Sequence, residues 1–308
     1  MILPGTADLI AALPAFIGYV PSQTLFSLLV GTDDRVIAIA QIPADANDDE
    51  LRNWQAPSTQ FEDATRIILI AVASDPRACL VRAASCPPFP AESLIGLPSF
   101  ANGSLWFDLV SRETGHVPDF RESSATARRA LAGWEIFASE GDMYRAFEAA
   151  APALQPTRVR SASSVLGRLR TGIKYGQAKL DARSVGGILV HCKESRDSAL
   201  ALIDANPEVA YAWFSASARR LRDQSRLEAL VACALAALAC GEKSLADTAI
   251  RTALHEVECL GVVPIFGSSL LHRVSDLVAA PDYPTSIREF LDFGRSDGDW
   301  AVPDGRTA

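Results

Sequence analysis

The stretch Arg66-Ile67-Ile68-Leu69-Ile70-Ala71-Val72-Ala73 decides the fold. It is the strongest strand signal in the chain, a run of apolar and β-branched residues bounded by turn chemistry. Asp75-Pro76 follows as a turn or helix start, and a helix near 76–84 completes a strand-to-helix unit. Upstream, Leu25-Phe26-Ser27-Leu28-Leu29-Val30 and Arg35-Val36-Ile37-Ala38-Ile39-Ala40-Gln41-Ile42 flank the turn Gly31-Thr32-Asp33-Asp34. Two apolar runs around four turn residues read as a β-hairpin, and the hairpin is expected to share one sheet with 66–73. Both runs are nearly continuous, so both strands are expected to be buried on two faces.

Further upstream, Leu9, Ile10, Leu13, Phe16 and Ile17 recur at helical spacing, so 6–17 reads as a helix with Thr6 as N-cap. Pro14 inside it is expected to kink the helix or end it early, and Gly18 and Pro21 mark the exit. Residues 46–55 and 57–64 suit short helices or loops. Residues 86–103 hold four prolines and Asn102-Gly103 and read as loop, and 104–111, SLWFDLVS, as a fourth strand. These elements make a small mixed α/β layer, assigned to residues 1–118.

After about 121 the pattern turns helical. Candidate helices cover 122–138, 140–150, 163–175, 183–191, 195–204, 208–222, 225–240, 245–259, a segment from 268 or 269 to about 279, and 285–293. The clearest is 225–240, where Leu227, Leu230, Val231, Ala234, Leu235 and Leu238 form one stripe. Gly241 is its expected stop, and Ser244-Leu245-Ala246-Asp247 resembles a capping box opening the next helix. The pair has a tetratricopeptide flavour, with Ala246, Ile250, Ala253 and Leu254 at that motif's packing positions. No second copy lies about 34 residues away, so one packed hairpin is expected rather than a repeat array. The sequence therefore predicts an N-terminal α/β domain, a larger all-helical domain over 119–294, and a mobile tail over 295–308.

The 308 residues are 49% hydrophobic and 21% charged, which suffices for packed cores and excludes wholesale disorder. A net charge of −8 argues against a surface that binds nucleic acid or anionic lipid throughout. The first residues show no cationic leader and no apolar run is long enough to span a bilayer, so a cytoplasmic, membrane-free protein is the expectation. Phosphate-binding, zincin, nucleophile-elbow and kinase motifs are absent.

Cysteine and histidine are the residue types that carry metal or nucleophilic chemistry. Cys233 with Cys240, and His255 with Cys259, each share a helix face. In an antiparallel hairpin, however, Cys240 lies beside the turn and Cys259 about 20 Å away at the far end, so four ligands cannot meet. Small buried cysteines on packing faces are expected, Cys79 and Cys86 included. His191 and Cys192 are adjacent, and neighbouring side chains on a helix diverge by about 100°. No catalytic residue, metal set or cofactor is assigned.

The most uneven charge lies in 157–183, where Arg158, Arg160, Arg168, Arg170, Lys174, Lys179 and Arg183 stand against one acid, Asp181. Arg168, Arg170, Lys174 and Lys179 are the candidate contacts to a polyanion or an acidic protein partner. The alternative is a solvated face that pairs with the chain's own excess acids. Tyr175 is the only aromatic there, so an interleaved stacking surface is not supported. The Pro-rich stretch 86–98 reads as a surface loop rather than a ligand for a proline-recognition domain.

Residues 5–43, with Gly18-Tyr19-Val20-Pro21-Ser22-Gln23-Thr24-Leu25 at their centre, resemble the opening of domain-of-unknown-function family 4192, an uncharacterised and mainly actinobacterial family. The family more often has an acidic residue and Ser at the positions of Gln23 and Thr24. Leu105-Trp106 with Gly115, Ser195 to Leu200, and Ala236 to Leu254 around Gly241 are similar in order and spacing. The resemblance implies a fold and a lineage and no activity. With the missing motifs, it leaves a cytosolic, non-enzymatic interaction or adaptor protein with an unidentified protein partner as the expected function. The alternatives are a nucleic-acid-associated protein, binding weakly through 157–183, and an enzyme with an unrecognised site. A pocket with converging polar side chains separates a small-ligand binder or enzyme from an adaptor.

Overall fold

In the computed structural model, which describes residues 5–32, 35–55, 64–85, 91–150, 154, 182–183, 193–261 and 274, the hairpin forms as read. Strand β1 (Thr24–Gly31) pairs antiparallel with β2 (Val36–Pro43) on one side and with β3 (Ala64–Val72) on the other. From β3 the chain passes through α3 (Pro76–Ala84) to β4 (Ser93–Leu97), parallel to β3. Strands β5 (Leu105–Asp108) and β6 (Thr114–His116) add antiparallel, giving the order β2-β1-β3-β4-β5-β6. The mixed sheet followed by helices is the fold class read from the sequence.

All eight residues of β1 are buried. Side chains alternate between the two faces of a strand. Leu25, Leu69 and Ala71 share one face with Leu80 and Ala83 of α3 and Leu51 of α2 (Asp48–Gln55). Phe26, Leu28, Ile70 and Val72 are buried on the opposite face. That is the face of Gln41, which pairs with Phe26 and accepts a 2.7 Å hydrogen bond from the buried Tyr19 hydroxyl, just past α1 (Thr6–Ile17). The burial expected of both hairpin strands holds for β1 only. Strand β2 is an edge, and its residues are half-buried or exposed.

Other local readings are corrected. Helix α1 runs through Pro14 to Ile17 and stops at Gly18 (φ 85°), whose N–H reaches the Pro14 carbonyl; its N-cap is Gly5, not Thr6. The 86–103 loop contains β4, because pairing with β3 organises a five-residue run that is too short to announce itself. The expected helix 122–138 is a single 3₁₀ turn (Phe120–Glu122) and α4 (Ser124–Leu131). Beyond Gly133 (φ 81°) the backbone bridges to Tyr19 through Phe137.

The chain divides into two compact units, Met1–Asp142 and Met143–Ala308, with α5 (Glu140–Arg145) at the division. In the second unit lie α6 (Lys193–Ala205), α7 (Pro207–Arg220), α8 (Asp223–Ala239) and α9 (Lys243–Leu260). Helix α8 is not amphipathic. Residues Ser225 to Leu238 are buried without interruption, with α6, α7 and α9 packed around it. Among the buried residues are Arg226 and Glu228. The Arg226 guanidinium pairs with Glu256 of α9, and donates to the Ala218 carbonyl near the end of α7 and to the Phe147 carbonyl at 2.8 Å. Helix α9 starts at Lys243 after Glu242, and no side chain caps it, so the capping box expected at Ser244 does not form. The candidate helices 163–175, 268–279 and 285–293 and the tail lie outside the described residues.

Two features of β4 and β5 can be tested. Gly96 sits opposite Phe107, and a Cβ there would fall 2.3 Å from the ring. Gly96→Ala is expected to cost about 1–3 kcal/mol in urea unfolding through overpacking. Asp108 is buried and accepts from Leu94 N, Val110 N, Ser93 Oγ and Ser111 Oγ at 2.7–3.0 Å. Burial pushes its carboxyl pKa up, but those four donors outweigh burial and hold it below the ordinary value. A depressed folded pKa means stability that is present above about pH 4 and is lost as the pH falls through the folded value. Asp108→Asn should lower stability at pH 7 by about 1–3 kcal/mol and flatten its fall toward low pH, as read by urea midpoints across the range.

Candidate functional site

A cleft of about 750 Å³ opens in the first unit at one end of the sheet. The register explains its place. Thr24 pairs with Val72, and Val72 with Leu97, so the start of β1 and the carboxyl ends of β3 and β4 lie at the same end. The segments that continue from β1 and β4 there, Val20–Gln23 and Pro98–Asn102, form two walls. Ligand sites in sheets with parallel strands sit outside the carboxyl ends in this way. The 3₁₀ turn, α4 and the segment Trp134–Ala138 complete the lining.

The wall at Trp134–Ala138 is fixed by main-chain bonds and one guanidinium. Val20 N donates to Phe137 O at 2.9 Å, and Phe137 N to Gly18 O at 2.8 Å. The buried Arg129 of α4 donates from Nε to Glu135 O and from Nη1 to Ala15 O, both at 3.1 Å. Ala15 O belongs to the last turn of α1, where carbonyls lack helix partners and the macrodipole favours a cation.

Phe100 is buried and Phe120 and Trp134 half-buried, which gives the cleft apolar surface. Some polar groups already have partners. Ser99 Oγ bonds Ser104 Oγ at 2.9 Å, Thr126 Oγ1 donates to Phe120 O at 2.7 Å, and Asp119 accepts from Arg121 N and pairs with its guanidinium at 3.7 Å. The side chains of Ser22, Gln23, Asn102 and Glu135 are exposed in or beside the cleft and have no hydrogen bond or ion pair among the described residues.

In a second hollow beside α2, the side chains of Asn47 and Glu50 hold the helix start. Asn47 Oδ1 accepts from Asp49 N and Glu50 N, and Glu50 Oε2 accepts from Asn47 N. The cysteines split. Cys79 and Cys233 are buried as expected, whereas Cys240 is half-buried and Cys259 exposed, 3.6 Å from His255 Nε2. Burial pushes the Cys233 thiol well up, and burial with Glu208 and Glu242 pushes Cys240 up to about 12, so neither is a thiolate at neutral pH. Among the described residues no three His, Cys, Asp or Glu side chains gather as a metal site, and no helix is long and apolar enough to cross a membrane. Arg168, Arg170, Lys174 and Lys179, together with Cys86, His191 and Cys192, lie outside the described residues; of the basic segment, Arg183 is described and is exposed.

Sequence reasoning missed the cleft because its lining comes from five separated segments with no shared motif. The available signal was Gly18-Tyr19-Val20-Pro21-Ser22-Gln23, whose last four residues line it. Gln23 has a positive φ of 49°, a conformation that disfavours a side chain, while its carbonyl accepts from Ala44 N. Gln23→Gly should relieve this strain and raise stability by about 1 kcal/mol, seen as a rise of about 2–4 °C in Tm. An unchanged or lower Tm would show that the strain relieved does not exceed the backbone entropy that glycine adds to the unfolded chain.

No curated protein and no solved structure matches the chain. Residues 7–187, more than half of its length and including most of the first unit, match the family described as Domain of unknown function (DUF4192), and the chain belongs to that family.

Proposed function

We propose that the first unit binds a small organic ligand in the cleft at the carboxyl ends of β3 and β4. The observation that carries this reading is the convergence of the Ser22, Gln23, Asn102 and Glu135 side chains, which have no partners among the described residues, around the Phe100, Phe120 and Trp134 surface. An apolar pocket with a few placed polar groups is what small-ligand recognition requires. Contact with a protein partner requires no such concavity, so the cleft favours a small molecule over the adaptor role expected from sequence. The walls are set by backbone pairing and by Arg129, so little ordering is left to be done on binding.

A ligand-observed NMR screen of a polar fragment library against the full chain tests the reading. The expected outcome is a set of weak binders whose signals vanish in Trp134→Leu while the circular dichroism spectrum is unchanged. Absence of binders, or binders indifferent to both Trp134→Leu and Asn102→Ala, would overturn it.

A further inference from the structure

The charges in the cleft narrow the class of ligand, on the reading that the cleft is a ligand site. Asp119, Arg121 and Glu135 are the charged residues that line it. Asp119 and Arg121 neutralise one another at 3.7 Å, and the Glu135 carboxylate has no partner among the described residues, so the lining carries a net charge of −1. Two main-chain donors at the 3₁₀ turn and the start of α4 are already engaged. Asp119 Oδ1 takes Arg121 N at 3.0 Å, and Ser123 Oγ takes Thr126 N at the start of α4 at 3.1 Å. A phosphate or carboxylate placed here would meet an uncompensated carboxylate and no free cation among the lining residues.

The same surface suits the opposite charge. The Arg121 guanidinium lies 5.0 Å above the Phe120 ring and beside the Asp119 carboxylate, with its side chain 75% exposed. The chain thus already seats one organic cation between an aromatic face and a carboxylate at this cleft. Trp134 and Glu135 supply the same two chemistries from another wall, and no cation pairs with the Glu135 carboxylate among the described residues. Cations are drawn to the negative faces of aromatic rings, most strongly to tryptophan. We propose that the cleft selects a small organic cation bearing a flat apolar ring, with Glu135 as the residue that sets the preference for positive charge.

Three probes share an indole and differ in charge: tryptamine, the neutral tryptophol and the anionic indole-3-acetate. Their affinities for the full chain, measured by isothermal titration calorimetry at low salt, should fall in that order, with about a tenfold span from cation to anion. Glu135→Gln should bring tryptamine close to tryptophol and leave tryptophol unchanged. The exposed position of Glu135 makes a folded variant the expectation, checked by circular dichroism. Equal or tighter binding of indole-3-acetate, an unaltered preference in Glu135→Gln, or no binding of any of the three would overturn the proposal. If fragments bind at Trp134 without regard to charge, the charge assignment falls and the ligand site stands. If nothing binds at Trp134, both fall.

Discussion

Strand β1 has no exposed residue, and the architecture of the first unit follows from that constraint. A strand buried on both faces and paired along both edges needs a neighbour on each side and a layer above and below. Strands β2 and β3 supply the edges. Helices α2 and α3 cover the face of Leu25, Leu69 and Ala71. On the other face Tyr19 reaches Gln41, so the chain leaving α1 must cross the sheet before it enters β1. That crossing brings Pro21–Gln23 to the end of the sheet at which β3 and β4 finish, and the cleft forms where these segments meet.

Each unit also places one buried arginine where main-chain carbonyls lack partners. Arg129 joins α4 to the last turn of α1 and to Glu135. Arg226 joins α8 to the end of α7, to Phe147 and to Glu256 of α9. A guanidinium suits this role because its five donors are fixed in one plane and its charge persists at any ordinary pH. Carbonyls at a helix end favour a cation, which offsets part of the cost of taking the charge out of water. In the first unit the consequence is that the wall carrying Trp134 and Glu135 is tied to a helix rather than left to its own loop.

Among the described residues the cleft combines aromatic surface, the partnerless side chains of Ser22, Gln23 and Asn102, and the Glu135 carboxylate, while its one lining cation, Arg121, pairs with Asp119. Charges more than about 8 Å apart across solvent are largely screened at physiological salt. On the proposed reading, the preference of the cleft for charge comes from the residues that line it.

The sequence by itself determined the hairpin, β3, α3, the change from sheet to helices, and the positions of α6 to α9 to within a few residues. These elements are written in local apolar periodicity and in turn residues such as Gly31, Asp75-Pro76 and Gly241, which act over a few residues. Only tertiary structure decided the rest. Strand β4 exists because β3 offers it a parallel edge, and Gly96, which weakens a strand in isolation, is the residue that leaves room for Phe107. The helix expected over 122–138 stops at Leu131 because the chain beyond Gly133 pairs with Gly18 and Val20 instead. Helix α8 reads as amphipathic, yet it is buried all round because α6, α7 and α9 pack about it and Arg226 and Glu256 satisfy each other. The cleft was legible only in part, through Pro21 to Gln23, since its other residues are brought in from as far as Ala138 by strand register and by Arg129, and such long-range pairings leave no local pattern to read.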